Sequence, residues 1–337
     1  MVAYVIRRVL IGIPVLFGVT IIAFAILSTA PDPLGALIDP EARASMSQEQ
    51  LEAVRRDLGL DGPVYLRYAR WLGLQPIVAA FTGEKAIPGV LQGNLGFALS
   101  SRRPVAEELL PRIGPTLLLM TCSLLLALLV GIPAGIISAV KRYGRVDYVL
   151  TSATMVLIST PTFVLGLILI YVIGVTFRLL PIGGMQTLGK PFSIADLAGH
   201  LVMPVLILGF AYAAPLMRYT RSSMLEVLDS EYVTTARAKG LGERIVLIRH
   251  ALRNALIPII TVVGYLLPEL VAGAIITEQV FSWPGMGLLA VRAASQRDPS
   301  LMMGIVLMIS VAVLIASILT DVAYTYADPR IRLVRNG

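Results

Sequence analysis

Long apolar runs, about six in number, constrain what this chain can fold into. Each has at least the ~20 residues that a helix needs to cross a hydrocarbon core about 30 Å thick. They cover roughly residues 9–30, 114–140, 149–177, 200–220, 255–280 and 301–326. Because backbone polar groups in lipid must be satisfied within the protein, the runs predict helices and not open strands. We therefore expect an all-α fold, a polytopic membrane protein of about six transmembrane helices.

Composition argues against the other broad classes of protein. Hydrophobic residues make up 56% of the 337 residues and charged ones only 15%, whereas soluble domains are about 45–50% apolar. The net charge of +7 lies in short basic patches between apolar runs, a pattern typical of membrane topology and not of nucleic-acid binding. One cysteine, Cys122, excludes an internal disulfide or Cys-based zinc site, and two histidines argue against a His-built one. We expect no nucleic-acid partner and no metal or cofactor in this chain.

The placement of Lys and Arg predicts the orientation in the membrane. Segments 1–8, 141–148, 218–254 and 327–337 together hold fifteen of these residues, whereas the two short loops on the opposite side hold four. Short loops rich in Lys and Arg stay on the cytoplasmic side. We therefore expect both termini to be cytoplasmic, in the cytoplasmic (inner) membrane of the cell.

The long segment 31–112 falls on the extracytoplasmic side in this topology. Ser47 and Gln50 stand at the two positions of a capping box and predict the start of a short helix. A second short amphipathic stretch carries Tyr65, Tyr68 and Trp71. Two interpretations remain open: an interfacial helix pair with aromatic rings at headgroup level, or a docking surface or lid over a transport pathway.

The loop between the fourth and fifth runs has the pattern of helix, break and helix. Ser230 is a candidate N-cap for a helix that begins at Glu231, Lys239 falls in its last turn, and Gly240 suits the position just after its end. Small residues such as Ala236 make this helix slim enough for another protein to approach its backbone. A second helix is expected from Glu243, with Ile245, Ile248 and Leu252 on one face. Composition alone would also fit a basic helix pair that binds anionic lipid.

The same loop resembles the cytoplasmic loop of binding-protein-dependent ABC importer permeases. Their signature is Glu-Ala-Ala, three residues and then Gly, and here Thr234-Thr235-Ala236 is followed at that spacing by Gly240. The longer string over residues 231–255 is similar to the dipeptide, oligopeptide and nickel branch, in particular its B-type subunits.

The resemblance extends over nearly the whole chain. It includes residues 131–135 in the second run, 278–285 after the fifth run and 328–330 near the end. It implies a type I ABC importer permease fold with a coupling loop at 221–254. The residues that it implies for the ATPase contact are Glu231, Tyr232, Thr235, Ala236, Arg237, Ala238, Lys239, Gly240 and Leu241.

The implied organisation has four parts. Residues 1–30 form the N-terminus and first span, 31–112 the extracytoplasmic segment, 113–326 the permease core with five spans and the coupling loop, and 327–337 a cytoplasmic tail. The implied partners are a second homologous permease, two ATPase subunits that hold ATP and Mg, an extracytoplasmic substrate-binding protein and the lipid bilayer. Short peptides are the first substrate class that the resemblance implies, with nickel or an oligosaccharide as alternatives.

One segment imitates a nucleotide-binding motif. Residues 184–190 match the spacing G-x-x-x-x-G-K, but Pro191 replaces the Ser or Thr whose hydroxyl holds Mg²⁺. The predicted topology also places the segment outside the cell, so we expect a turn-rich loop. The chain itself is then not an enzyme, and ATP hydrolysis belongs to partner subunits.

Acidic residues in or beside the runs are candidates for the transport pathway. An acid within a span costs about 2.5–3.5 kcal/mol on insertion scales, so it should face protein or water. Glu269, deep in the fifth run, and Glu278, near its end, are the two candidates. A buried hydrogen bond at Glu269 and a structural ion pair or an interfacial position at Glu278 are the alternatives.

The residues give less support to two other functions. An intramembrane serine protease needs Ser and His together within the membrane, yet His200 starts the fourth run at its outer end and His250 lies in the loop. A channel or secondary carrier would need neither a coupling loop nor ATPase partners, and carriers usually place ionisable groups within their spans.

Overall fold

A computed structural model gives the architecture. It describes residues 2–30, 34, 38, 40–57, 60–74, 88–252, 254, 255, 259, 260, 262–264, 266 and 275–327. These residues are mostly helical, and among them the only β-type pairing is an isolated bridge between Phe97 and Pro104. The all-α fold class is confirmed.

The described helices follow in chain order. They are α1 (Val2–Ser28), α2 (Pro40–Ser45), α3 (Gln48–Asp57), α4 (Val64–Leu72), α5 (Val105–Val140), α6 (Arg145–Ser159), α7 (Thr162–Leu169), α8 (Ile194–Leu228), α9 (Glu231–Ala238), α10 (Glu243–Ile245), α11 (Ile275–Val280), α12 (Met286–Ser295) and α13 (Pro299–Ala327). Helices α7 and α10 continue as π-helical turns over Ile170–Thr176 and Val246–Leu252, and a 3₁₀ turn spans Val90–Gln92.

Four of the described helices, α1, α5, α8 and α13, are long and apolar enough to cross a membrane. Helices α6 and α7 form a fifth candidate that is bent by 99°. The bend falls at Pro161, since the residue before a proline avoids helical geometry and Thr160 is extended, with ψ at 125°. Half of the predicted fifth run, 255–280, lies outside the described residues, and its last part forms α11.

The chain divides into two compact units, of which the first comprises residues 1–114 and 289–311. Within it, α4 packs on α1 through aromatic rings: Tyr68 meets Phe24 edge-on at 5.5 Å between centroids, and the Trp71 ring lies tilted beside both. The Tyr68 hydroxyl also lies 2.9 Å from that of Thr20. The short aromatic helix is therefore fixed against a span, and both interpretations of segment 31–112 stay open.

Local caps order the rest of this unit. The predicted capping box is confirmed, because the amide of Gln50 donates to the Ser47 hydroxyl and the amide of Ser47 donates to the Gln50 side chain. Asp298, which is buried, caps α13 by accepting from the Leu301 amide at 3.0 Å. Its other oxygen accepts from the amide and hydroxyl of Ser100, both at 2.9 Å.

The second unit comprises residues 115–288 and 312–337. Its α5 and α8 approach closely at Gly131 and Gly135, where an added Cβ would collide with backbone atoms of α8. This is the small-residue packing that brings membrane helices together. A second contact, at Gly209 of α8, faces the side chain of Leu126. These contacts hold α5 and α8 side by side up to the loop that follows α8.

Candidate functional site

The predicted coupling loop, 221–254, starts within α8, because α8 continues as a helix to Leu228. In the structure the coupling loop therefore begins after α8, and its first helix, α9, starts after Ser230. Ser230 has the extended backbone of an N-cap residue, with φ −78° and ψ 150°, but its side chain does not cap α9. Its hydroxyl instead donates to the carbonyl of Val227, at 2.5 Å, in the last turn of α8. The predicted position is right and the predicted side-chain cap is wrong, because the hydroxyl is turned back to the last turn of α8 and not forward to the amides of α9.

Gly240 ends α9 in left-handed geometry, with φ +77°. Its amide donates to the Arg237 carbonyl at 2.9 Å, and the Leu241 amide donates to the Ala236 carbonyl at 3.4 Å. This pair of bonds is a Schellman motif, which favours glycine since it has no Cβ to strain the left-handed residue. The predicted helix end at Gly240 and the second helix start at Glu243 are both confirmed.

A small core joins α9 to α10 and to the end of α8. Val233, Ala236 and Val246 are buried in this core, and Val227 and Leu228 of α8 pack against them. The loop is therefore a packed unit seated on the end of a long helix. The helix period of α9 places Val233 and Ala236 on one face, which the sequence-based interpretation had not singled out.

The inward face of the second helix differs from the predicted one. Ile245 and Ile248 are 49% and 56% exposed, whereas Val246 is buried. The π-helical turn that starts at Val246 bonds residues five apart, so the ordinary helix spacing on which the prediction rested does not apply there. Of the predicted face, only Leu252 packs inward, in a second cluster that contains Met224.

Most of the predicted contact residues point away from this core. Of the nine, only Ala236 is buried, at 6% exposure. The exposed ones are Glu231, Tyr232, Thr235, Arg237, Ala238, Lys239, Gly240 and Leu241. Together with Ile245 and Ile248 they form a surface, the exposed face of the coupling loop, that mixes apolar and basic groups.

An ion pair bridges the Gly240 turn. Arg237 donates to both oxygens of Glu243, at 2.7 and 3.2 Å, which fixes the end of α9 to the start of α10. The Arg237 guanidinium lowers the pKa of Glu243 below its usual value, so the carboxylate stays charged at neutral pH. A separate bond from the Asn254 amide to the Tyr232 hydroxyl, at 3.0 Å, ties the first helical turn to the end of the loop.

A buried ion pair joins α8 to the turn between α5 and α6. Arg221 of α8 donates to both oxygens of Asp147 of α6, each at 2.8 Å, and the Ser138 hydroxyl of α5 donates to the same carboxylate. The sequence-based interpretation missed this cluster. Asp147 stands among basic residues of the 141–148 patch, and its partner is 74 positions away, so no local pattern signals the pair.

Glu278, a pathway candidate, is fully buried beside α12. Its carboxylate accepts from the Leu288 amide at 3.0 Å and from the Thr116 hydroxyl at 2.8 Å. Glu278 therefore caps the first turn of α12 although it lies outside that helix. A side chain at Gly285 would overlap this carboxylate. These contacts are of the structural kind that was the alternative for Glu278, and its pathway role stays a prediction. Glu269 lies outside the described residues.

Residues 184–190, which match the spacing of a nucleotide-binding motif, lie in a turn-rich loop, as expected. Residues 177–193 form neither a helix nor a strand, and Gly184 and Gly189 both have φ near +80°. The Thr187 amide and hydroxyl donate to the Asp196 carboxylate at 2.7 and 2.6 Å. The Thr187 amide, which a phosphate loop would direct at its ligand, is therefore already occupied by Asp196.

Comparisons with known proteins cover nearly the whole chain. A family described as binding-protein-dependent transport system inner membrane component matches residues 131–333, and a family for the N-terminal part of such components matches residues 1–121. The oligopeptide transport system permease protein AppB of Bacillus subtilis is 40% identical over 333 residues, covering 98% of this chain and 99% of that protein. The dipeptide transport system permease protein DppB of Escherichia coli K12 is 34% identical over 354 residues, with the same coverage.

A solved structure shares the fold. The MetNI methionine ABC transporter, in an inward-facing conformation, matches with a TM-score of 0.52 at 18% identity. The match covers 65% of this chain and 96% of the MetNI chain. At that identity the likeness shows a common architecture of membrane helices and nothing finer.

Proposed function

Because the chain belongs to the family of binding-protein-dependent transport system inner membrane components, we propose that it is the importer permease for dipeptides and oligopeptides. It is a multi-pass transmembrane permease subunit of an ABC importer. Its full-length relatives AppB and DppB are named for oligopeptide and dipeptide transport, which supports peptides as the substrate class. Nickel and oligosaccharides remain the alternatives, and the scarcity of histidine disfavours a metal site in this chain.

The proposed assembly pairs this chain with a second homologous permease and two ATPase subunits. ATP and Mg belong to the ATPase subunits, and an extracytoplasmic binding protein delivers the substrate. With both termini and the coupling loop on the cytoplasmic side, the loop meets the ATPases directly. This chain then forms half of the translocation pathway and hydrolyses no ATP itself.

The observation that carries the proposal is the exposed face of the coupling loop on a packed base. Tyr232, Leu241, Ile245 and Ile248 are apolar groups between 39% and 56% exposed, and their burial in an ATPase groove would favour docking. Lys239, also exposed, adds charge to the same surface. The base is fixed to α8 by the Val233 core, so a push on the exposed face moves α8 with it.

Reconstitution tests the function directly. The complete complex and its binding protein, in proteoliposomes, should take up labelled dipeptides and tripeptides only when ATP is enclosed with the ATPase subunits. Uptake of nickel or an oligosaccharide without peptide uptake would replace the substrate class. Peptide uptake that needs no ATP would instead support a carrier.

A pair of variants tests the docking face. Leu241→Asp places a charge on the exposed face of the coupling loop, and we expect the ATPase subunits to be lost during purification of the complex. Leu188→Asp makes the same change at a residue that is 94% exposed in the 177–193 loop, and it should retain them. Equal retention of ATPase by both variants would refute the assigned face.

A further inference from the structure

The Asp147–Arg221 pair joins three helices at one point. Asp147 begins α6, Arg221 lies near the end of α8, and Ser138 lies near the end of α5. The Asp147 side chain is only 5% exposed and that of Arg221 is 26% exposed, so water screens the pair little. Arg221 contacts both other members, since its Nε lies 2.8 Å from Asp147 and 3.1 Å from the Ser138 hydroxyl.

The geometry leaves the carboxylate little freedom. One oxygen of Asp147 accepts from Arg221, Ser138 and, at 3.3 Å, Thr151. The other accepts from Arg221 and from the Tyr143 amide at 2.9 Å. A planar guanidinium that donates to both oxygens of a carboxylate resists rotation as well as separation. The α5–α6 turn is therefore held to α8 in a single orientation.

The pair lies between the packed spans and the coupling loop. On the membrane side, Gly135 of α5 lies against Thr220 and the Met217 carbonyl of α8. On the loop side, α8 continues to Val227 and Leu228, which pack against the buried face of α9. A displacement of α9 therefore reaches α8 through apolar packing and reaches the α5–α6 turn through the ion pair.

We propose that the Asp147–Arg221 pair, steadied by Ser138, is the joint that transmits movement of the coupling loop to α5 and α6. The proposal rests on the proposed function, since it assumes that ATPase subunits move the loop. These are positioning residues, which act through the helices and not on substrate or nucleotide. Stability alone is a weak reason for such a pair, because apolar replacement of buried ion pairs is often neutral or stabilising. Because its hydrogen bonds are directional, the pair instead fixes how α5, α6 and α8 are aligned with one another.

The test uses the neutral double variant D147N/R221M in the full complex. The side-chain amide that D147N introduces can still accept from the Tyr143 amide, and methionine replaces the arginine stem, so neither change leaves a buried charge unpaired. Hydrogen exchange is followed in segments 141–148 and 231–241, with and without a non-hydrolysable ATP analogue. In the unaltered complex we expect the nucleotide to change exchange in both segments. In the double variant we expect the change to persist in 231–241 and to vanish in 141–148.

A second readout is the number of labelled dipeptides taken up for each ATP hydrolysed. We expect this ratio to fall about tenfold in the double variant, within the range by which mutations along a coupling network act. A purely structural role would lower uptake and hydrolysis together and leave the ratio unchanged, which would overturn the proposal.

The matched control is the exposed pair Arg142–Asp229, which joins the same turn to the end of α8 at 3.4 Å. Arg142→Gln should leave both the exchange pattern and the ratio unchanged, because exposed pairs hold little energy. If D147N/R221M behaves like Arg142→Gln, the joint is refuted while the proposed function stands. If the nucleotide changes exchange in neither segment of the unaltered complex, the coupling function itself fails.

Discussion

At the scale of single residues, the coupling loop shows how two alanines two positions apart take opposite roles. Ala236 is buried against Val233 and Val246, whereas Ala238 is exposed at the end of α9. Both lie in the stretch that resembles the family signature, and both were expected to contact the ATPase. The structure directs the Ala236 side chain to the base of the loop, so its effect on the exposed face is indirect.

Exchanging each alanine for leucine separates these roles. Ala236→Leu overfills a closed core and should lower the free energy of unfolding by about 1–3 kcal/mol, seen as earlier thermal unfolding of the purified permease. Ala238→Leu should leave the unfolding temperature unchanged but weaken retention of the ATPase subunits, since it adds bulk on the docking face. Equal unfolding temperatures for the two variants would contradict the buried assignment of Ala236.

At the scale of elements, the close approach of α5 and α8 decides how the loop is supported. Gly131 and Gly135 lie one helical turn apart on α5, and both meet backbone atoms of α8. The sequence showed this Gly-x-x-x-Gly spacing as part of the family resemblance, but not which helix it faces. Because the contact involves backbone, a side chain there must separate the helices and not merely displace a neighbour.

Two glycine-to-alanine changes on the same helix test this contact. Gly135→Ala should cost about 1–3 kcal/mol of stability through overpacking and reduce ATP-driven uptake, because α5 and α8 no longer seat together. Gly114→Ala, also on α5, meets nothing within 4 Å and serves as the control. We expect it to be neutral or slightly stabilising, since alanine favours helix over glycine by about 1 kcal/mol. Thermal unfolding in detergent compares the two variants. A loss of stability in Gly114→Ala but not in Gly135→Ala would contradict the close contact at Gly135.

At the scale of the whole molecule, the orientation of the chain determines whether the coupling loop can meet an ATPase. Charge placement predicts that this loop faces the cytoplasm and that the 177–193 loop faces the opposite side. The structure supplies exposed positions on both loops, among them Thr234 and Leu188. Orientation is therefore testable on the permease alone, without its partners.

Cysteine labelling provides that test. In a Cys122→Ala background, which carries no cysteine, Leu188→Cys should react with a membrane-impermeant maleimide applied from the outside of spheroplasts. Thr234→Cys should react only after the membrane is opened. The background chain without an added cysteine controls for non-specific labelling. Labelling of Thr234→Cys in sealed spheroplasts would invert the topology and remove the basis for ATPase docking.

Local features of the fold were predictable from the sequence. The capping box at Ser47 and Gln50 and the glycine end of α9 at Gly240 each depend on residues within one or two turns, so short patterns encode them. Ser230 marks the limit of such patterns. Its position was predicted, but its hydroxyl is turned back to the Val227 carbonyl and does not cap α9.

The sequence by itself determined that the chain spans a membrane, because run length alone decides whether a helix can cross the bilayer, and its motifs determined the family. The tertiary structure decided which loop residues are buried, how Glu278 is bound and that Asp147 meets Arg221. The last two depend on partners 162 and 74 positions apart. Such contacts arise only when helices pack, since a carboxylate in the sequence carries no mark of the group that will neutralise it. What the structure adds is the Asp147–Arg221 contact, which we propose as the joint between the coupling loop and the spans.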